Sequence, residues 1–217
     1  VFHDVFCQAI PKLHIPGHCG QMNFQTQKQI LRTEIRQRRV TLSDKEARNL
    51  KIHSNTISLT EMQSAERVMV YVGYRSEVST KPLISQLLSA QKTVFVPWCD
   101  EDELQLFRLE SLDDLQPGAF SIPEPIDELR VMKDRQGKPA DLDVVVLPGI
   151  AFDRQGGRLG QGKGYYDRLL ADVSSKCTLI GLAFDVQLVE EVPMEPHDVR
   201  LDILITESDL YRRSASS

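Results

Sequence analysis

The sequence is poor in the residues that would commit it to several common designs. Tryptophan occurs once, and the four cysteines (Cys7, Cys19, Cys99, Cys177) are scattered, with no Cys-x-x-Cys pair and no metal-ligand spacing. That argues against a disulfide scaffold and for a reducing compartment, so the expected location is the cytoplasm, with the cysteines as small buried hydrophobes. No apolar run approaches the ~20 residues that cross a bilayer, so no membrane partner is expected. There is no basic excess either: the net charge is −5. This excludes a non-specific nucleic-acid binder but leaves room for a small anion held by a local basic cluster. His3, His14, His18, His53 and His197 show no ligand spacing. Neither an internal repeat nor a low-complexity block is present.

What remains is ordinary globular material: 217 residues, 41% apolar, enough for one domain with a sizeable core. Residues 22–210 are expected to form that domain, most simply as a monomer, with 211–217 as a disordered tail. Residues 1–21 differ from the rest. Pro11, Pro16, Gly17 and Gly20 interrupt any periodicity, and neither a signal nor a transit peptide is recognisable. They are expected to be a disordered or non-native extension ahead of Met22.

From Gln25 to Arg39, Ile30, Leu31 and Ile35 recur at helical spacing, and Lys28, Arg32 and Arg36 share one face. Ser43 and Glu46 read as a capping box opening a second helix to about Met62. Residues 67–74 read as a strand, with Ser79 or Thr80 capping a helix to Ala90. Strands follow at 93–99 and, alternating like an edge, at 104–109. Residues 110–141 read mostly as connection. The continuous apolar run at 143–149 predicts a strand covered on both faces. A glycine-rich loop comes next, a helix through residues 165–173, and buried strands at 178–184 and 202–206. Strands alternating with helices predict a three-layer α/β/α sandwich with a mostly parallel, Rossmann-like sheet. Glu77, the 156–167 loop and Asp185 then fall at the C-terminal strand edge, where such sheets carry their sites.

The loop GGRLGQGKGYYDR (156–168) packs five glycines among charged and aromatic residues. Gly157 and Gly162–Lys163 match the first part of a P-loop, but Gly164 replaces the Mg²⁺-ligating Ser or Thr. A dinucleotide fingerprint fails because Tyr165 stands where its third glycine belongs. Physics without a named motif fits better. Glycines let backbone N–H groups face an anion, a following helix adds its positive end, and Arg158 and Lys163 bring charge. Asp167 can hold Mg²⁺ against a phosphate, and the tyrosines offer flat surfaces to a ring. The loop thus reads as a nucleotide-phosphate site beside an aromatic co-substrate.

LPGIAFDRQGGRLGQGKGYYDRLL (147–170) resembles the signature of the 5-formyltetrahydrofolate cyclo-ligase (methenyltetrahydrofolate synthetase) family. KQILR (28–32), Glu77, GLAFDVQLVEEVP (181–193) and RLDILIT (200–206) extend the resemblance from Lys28 to Thr206; Gln161 stands where some members carry a basic residue. The resemblance implies an α/β enzyme that uses ATP and Mg²⁺ to convert 5-formyltetrahydrofolate into 5,10-methenyltetrahydrofolate through a phosphorylated iminium intermediate. By the same resemblance, Lys28, Arg32, Arg158, Leu159, Gly160, Gln161, Gly162, Lys163, Gly164, Tyr165 and Tyr166 would bind ATP. Glu77, Gly162, Lys163, Tyr165 and Tyr166 would contact the folate. Asp167 and Asp202 would hold the metal, and Lys163 and Arg158 would be catalytic. Two other readings stay open on the residues: a sugar-phosphate isomerase or CoA-transferase-like enzyme on a similar sheet, and a non-catalytic nucleotide or folate binder.

Overall fold

The structure, a computed structural model, describes residues 23–118, 122–196 and 198–214. The expectation for residues 1–21 therefore lies outside the described residues. In chain order the first half comprises α1 (Phe24–Val40), α2 (Lys45–Ile57), α3 (Thr60–Ser64), β1 (Arg67–Val70), α4 (Lys81–Ser89), β2 (Thr93–Asp100) and β3 (Glu103–Leu109). A small hairpin, β4 (Leu115–Pro117) with β5 (Pro123–Pro125), and α5 (Asp127–Arg130) lead to β6 (Val144–Leu147). Then come β7 (Ala151–Phe152), β8 (Arg158–Leu159), α6 (Tyr165–Leu170), β9 (Thr178–Leu182), β10 (Ile203–Ile205) and β11 (Leu210–Arg212).

The central sheet has the order β11-β10-β9-β6-β1-β2-β3. Strands β10, β9, β6, β1 and β2 are parallel; β3 and β11 close the edges antiparallel. The side chains explain why both faces are covered. Val68, Val70, Val94, Val96, Val144, Val146, Ile180 and Ile203 enter one apolar layer with Ile52, Met62, Leu83 and Leu87 from α2, α3 and α4. The alternate residues Met69, Phe95, Val145, Leu147, Leu179 and Leu204 enter the other, with Leu169 and Leu170 of α6. A strand that feeds two cores reads as VVVL rather than as an alternating pattern, which makes β6 legible from sequence. The expected three-layer, mostly parallel arrangement is present. From β1 the chain passes to β2 on one side and later returns to β6 on the other. The crevice at the C-terminal ends of β1 and β6 is thus the topological switch point, where ligands of open α/β sheets bind.

Several local expectations are corrected. Ser43 donates to the Asp44 carboxylate, and Asp44 takes the position before α2 in a left-handed conformation (φ 54°) with no side-chain cap, so the Ser43–Glu46 capping box does not form. The helix expected to reach Met62 breaks at Leu59, whose extended backbone lets its side chain enter the core. Thr80 heads α4 without capping it; its hydroxyl donates to the Tyr71 carbonyl and accepts from the Gly73 N–H, fixing the turn after β1. The tail expected from residue 211 is instead partly ordered: Tyr211 and Arg212 belong to β11, paired with Leu204 and Ile203. Cys177 is buried, and burial with Asp143 and Asp202 nearby pushes its thiol up to about 12, an unreactive apolar filler as expected.

Candidate active site

The cavity at the switch point has a volume of about 320 Å³ and is bounded by α1, the ends of β1 and β6, and residues 158–167. Each wall has a local cause. Asn23 caps α1 by accepting from the Gln25 N–H at 2.8 Å, and Arg38 and Arg39 sit in its last turn, where cations suit the helix dipole. The buried stripe of α1 is Lys28, Leu31, Ile35 and Arg39, apolar in the middle and cationic at both ends. Leu31 and Ile35 pack on Ile150, Ala151, Leu159, Val189 and Val192, which lays the helix across the loop. Arg32 and Arg36 flank that stripe. Arg32 Nε donates to the Gly160 carbonyl at 3.0 Å, and Arg36 donates to the Gln161 side chain. The helix therefore supplies a guanidinium where Gln161 carries no charge.

The glycine-rich stretch is not one continuous loop. Its first part is a tight hairpin, β7 to β8, organised by Asp153. That buried carboxylate accepts from the N–H groups of Gln155 (2.9 Å), Gly157 (2.8 Å) and Val192 (2.9 Å). A Cβ on Gly157 would lie 2.1 Å from Asp153 Oδ2, so glycine is required there. Sequence reasoning assigned Asp153 no role. An Asp followed by a Gly-Gly pair is the available signal, since Asp commonly bonds backbone N–H groups two residues on.

The hairpin delivers Arg158 into the cavity wall. Arg158 is buried; its Nη2 donates to Asp167 Oδ1 at 2.9 Å and its Nη1 to the Pro148 carbonyl at 3.4 Å, while its Nε is buried without an acceptor among the described residues. Residues 160–164 follow, with Gly162 (φ 99°) and Gly164 (φ 67°) left-handed. A Cβ on Gly162 would also stand 3.1 Å from the Arg32 guanidinium. Among the described residues, no backbone N–H from Gly160 to Gly164 donates a hydrogen bond. Helix α6 runs only from Tyr165 to Leu170, so the positive character here comes from side chains and these N–H groups rather than from a long helix. Lys163 is exposed on the cavity, its ammonium 5.7 Å from the Tyr165 ring centre. Arg168, on the outer side, donates to the carbonyls of Lys163 (3.1 Å) and Asp102 (2.8 Å), tying the loop to the β2–β3 turn.

At the far end of the cavity Glu77 follows β1. Burial raises its carboxyl above the ordinary range, against the Tyr74 N–H bond (3.2 Å) and the charge of Arg39. Arg39, also missed by sequence reasoning, is buried and bonds Ser76 Oγ at 3.0 Å and the Gly149 carbonyl at 3.3 Å. Tyr166 lies against both apolar layers, and burial raises its phenol, with Glu77 adding to the rise.

Of the expected site residues, the structure brings Lys28, Arg32, Glu77, Arg158, Leu159, Gly160, Gln161, Gly162, Lys163, Gly164, Tyr165, Tyr166 and Asp167 to one cavity. Lys28 arrives with its ammonium already engaged: Glu195 Oε2 is at 2.7 Å and Asp198 Oδ2 at 3.0 Å. Asp202 is the correction. It precedes β10, at the opposite edge of the parallel sheet, where it accepts from the Leu179 N–H at 2.9 Å and from Arg213 at 2.8 Å. An Asp opening a strand pins its neighbour there and cannot meet Asp167. Asp185 lies at the expected edge but accepts from Ser208 and does not line the cavity. Among the described residues no group of three or more His, Cys, Asp or Glu could hold a metal by itself. Mg²⁺ needs no such cage; one carboxylate, water and phosphate oxygens suffice, and Asp167 fits that donor set.

The sequence profile of the 5-formyltetrahydrofolate cyclo-ligase family matches residues 24–207. The chain is 35% identical over 191 residues to 5-formyltetrahydrofolate cyclo-ligase of Haemophilus influenzae, covering 85% of this chain and 100% of that protein. With the Mus musculus protein of the same name it shares 28% identity over 191 residues, covering 83% and 93%. Among solved structures, the Aquifex aeolicus 5,10-methenyltetrahydrofolate synthetase superimposes with a TM-score of 0.75 at 36% identity, covering 88% of this chain and 94% of that one. The Mycoplasma pneumoniae 5,10-methenyltetrahydrofolate synthetase gives 0.66 at 25% identity, covering 83% and 98%.

Proposed function

Because the chain belongs to the 5-formyltetrahydrofolate cyclo-ligase family and is an enzyme of that activity, we propose that it drives ring closure with ATP, using the residues of this one cavity. The observation that carries the ATP reading is the run of N–H groups from Gly160 to Gly164, unpartnered among the described residues, in an exposed to half-buried loop beside Arg158 Nε, which is buried without an acceptor among them. For Arg158 Nε the missing acceptor costs about 1–3 kcal/mol, and phosphate oxygens are acceptors of the right charge for it and for the loop.

The formyl oxygen is a poor leaving group. It attacks the γ-phosphorus, a new O–P bond forms, the bond to the β-phosphate oxygen breaks, and ADP leaves. The neighbouring folate nitrogen then attacks the formyl carbon and loses its proton; the C–O bond breaks and phosphate departs. Phosphoryl transfer asks the protein for positioning and charge. Arg32 and the 160–164 backbone hold the phosphates. Lys163, exposed on the cavity, meets the transferring group. Arg158, fixed by Asp167, orients it. Asp167 is the carboxylate proposed for Mg²⁺, which would neutralise phosphate charge. Glu77 accepts from the donor edge of the pterin, and Tyr165 and Tyr166 flank its rings. The test is purified protein with 5-formyltetrahydrofolate, with and without Mg-ATP, followed by the near-ultraviolet absorbance of the methenyl product. Product formed equally without ATP, or none with it, overturns the reading.

Glu77→Gln separates binding from folding. The native protein holds the Glu77 proton more tightly than the unfolded chain does, so stability falls as pH rises from the unfolded value to the raised folded one. At neutral pH the glutamine variant is therefore expected to melt higher than the parent. It loses a charge-assisted acceptor, so KM for folate should rise roughly tenfold or more. In the parent, kcat/KM for folate should fall on the acid side with an inflection above the ordinary carboxylate range. Unchanged folate KM in a folded variant removes Glu77 from the site.

A further inference from the structure

Arg39 is a buried charge that the proposed reaction leaves without a task. It ends the buried stripe of α1, is 6% exposed, and does not line the cavity. A guanidinium taken out of water is costly unless its donors and its charge are both met. Its recorded hydrogen bonds go to neutral groups: Nε donates to Ser76 Oγ at 3.0 Å and Nη1 to the Gly149 carbonyl at 3.3 Å.

Those two acceptors belong to the two segments that form the crevice. Ser76 follows β1, Gly149 follows β6, and Gly149 itself lines the cavity. Gln187 Nε2 donates to the same Gly149 carbonyl and to that of Ile150, both at 3.0 Å, so this segment is held from two sides. The segment after β1 is internally fixed. The Tyr71 hydroxyl donates to the Val78 carbonyl at 3.1 Å, the Glu77 N–H donates to the Tyr74 carbonyl at 3.0 Å, and Glu77 Oε2 accepts from the Tyr74 N–H. Arg39 thus ties a stiff turn, which carries Glu77, to the strand end across the crevice.

Charge follows the same geometry. The groups that act on Glu77 are Arg39 from α1, Tyr71 from β1, Tyr74 of its own turn, and Tyr166 from α6, whose ring lies 5.7 Å from the Arg158 guanidinium. Burial raises the Glu77 carboxyl, and the Tyr74 N–H and the Arg39 charge draw it back down. Burial lowers the Arg39 guanidinium, and the Glu77 charge opposes that fall. Each charge therefore stabilises the other. An ionised carboxylate accepts on both oxygens, whereas a protonated one must donate from one of them. Only the ionised form can accept from two neighbouring N–H groups on the edge of a pterin.

We infer that Arg39 is a positioning residue for the folate: its guanidinium joins the segments after β1 and β6 and presents to Glu77 the positive charge that keeps it an acceptor. The inference rests on the reading above in which Glu77 contacts the pterin.

Steady-state kinetics of the full chain across pH, with thermal melts, test this on Arg39→Gln, Arg39→Lys and Ser76→Ala. Arg39→Gln keeps an amide donor but no charge. Its KM for folate should rise roughly tenfold, as for one charge-assisted hydrogen bond, with little change in KM for ATP or in kcat at saturating folate. With the cation gone, Glu77 takes its proton more readily, so the acid inflection of kcat/KM for folate should move to higher pH. Arg39→Lys restores the charge and should return that inflection toward the parent's. Ser76→Ala removes one anchor and should raise folate KM about threefold. A helix-seating role alone would lower the melting temperature and change both KM values together, with the inflection in place; that result overturns the inference. If Arg39→Gln does not fold, Ser76→Ala decides, and an unchanged folate KM there overturns it. Failure of the pterin reading looks different. Glu77→Gln would then leave folate KM unchanged, and the inference falls with it; a raised KM in Glu77→Gln but not in folded Arg39→Gln refutes the role of Arg39 alone.

Discussion

Lys163→Ala is expected to lower kcat about a hundredfold, the usual effect of removing one preorganised donor from a charge-developing transition state, or about 2.7 kcal/mol. The side chain is exposed on the cavity, with its ammonium 5.7 Å from the Tyr165 ring centre. Its loss should leave the melting temperature nearly unchanged, as surface substitutions usually do. On the proposed function, ground-state contacts to ATP remain with Arg32, Arg158 and the loop N–H groups, so both KM values should move far less than kcat. That pattern identifies an interaction made mostly in the transition state. Near-normal turnover in the folded variant would remove Lys163 from the mechanism and leave Arg158 to carry the charge.

Asp167→Asn is expected to have a second large effect, of a different kind. The side chain keeps its size and an oxygen, which can still accept from Arg158 Nη2, now 2.9 Å from Oδ1. What goes is the negative charge beside a buried guanidinium and, on the present reading, the metal's carboxylate. Turnover should fall by at least the ~10–100-fold seen when even an outer partner of a metal is lost. It should recover partly at high Mg²⁺, and better with Mn²⁺, which accepts nitrogen and oxygen ligands more readily. A stability loss without any change in metal dependence would show instead that Asp167 serves only to neutralise Arg158. Titration of activity with each metal, alongside thermal melts, separates the two.

How much of this was legible in the sequence follows from how far each residue's role depends on distant parts of the chain. The β6 run needs only its own composition to announce a strand with two covered faces. The loop announces itself because glycine, arginine and lysine at that density have few other uses. By contrast, β7, β8 and β11 are two or three residues long, and only their partners make them strands. Arg39 sits in RQRR, where three arginines look alike; which of them faces inward is settled by the packing of Leu31 and Ile35 beneath the helix. Asp202 shows the reverse error. The residue type suits a metal, but the strand direction puts it at the wrong edge. Glu195 and Asp198 lie in a stretch with no periodicity, and their importance appears only when Lys28 arrives from 167 and 170 residues away.

The seating of α1 has a thermodynamic consequence. Its apolar contacts form a cluster of their own, Leu31 and Ile35 with Ile150, Ala151, Leu159, Val189 and Val192, separate from the two layers that hold the sheet. An element held by a small satellite cluster opens at a lower free energy than the sheet does, as an independent cooperative unit. Its remaining anchors are polar and bridge the cavity: Lys28 to Glu195 and Asp198, Arg32 to Gly160, Arg39 to Ser76 and Gly149. A nucleotide that spans the same gap adds to those anchors directly. On the proposed function, nucleotide binding and the completion of this helix's docking are then one equilibrium, and affinity for the nucleotide includes the work of completing that docking.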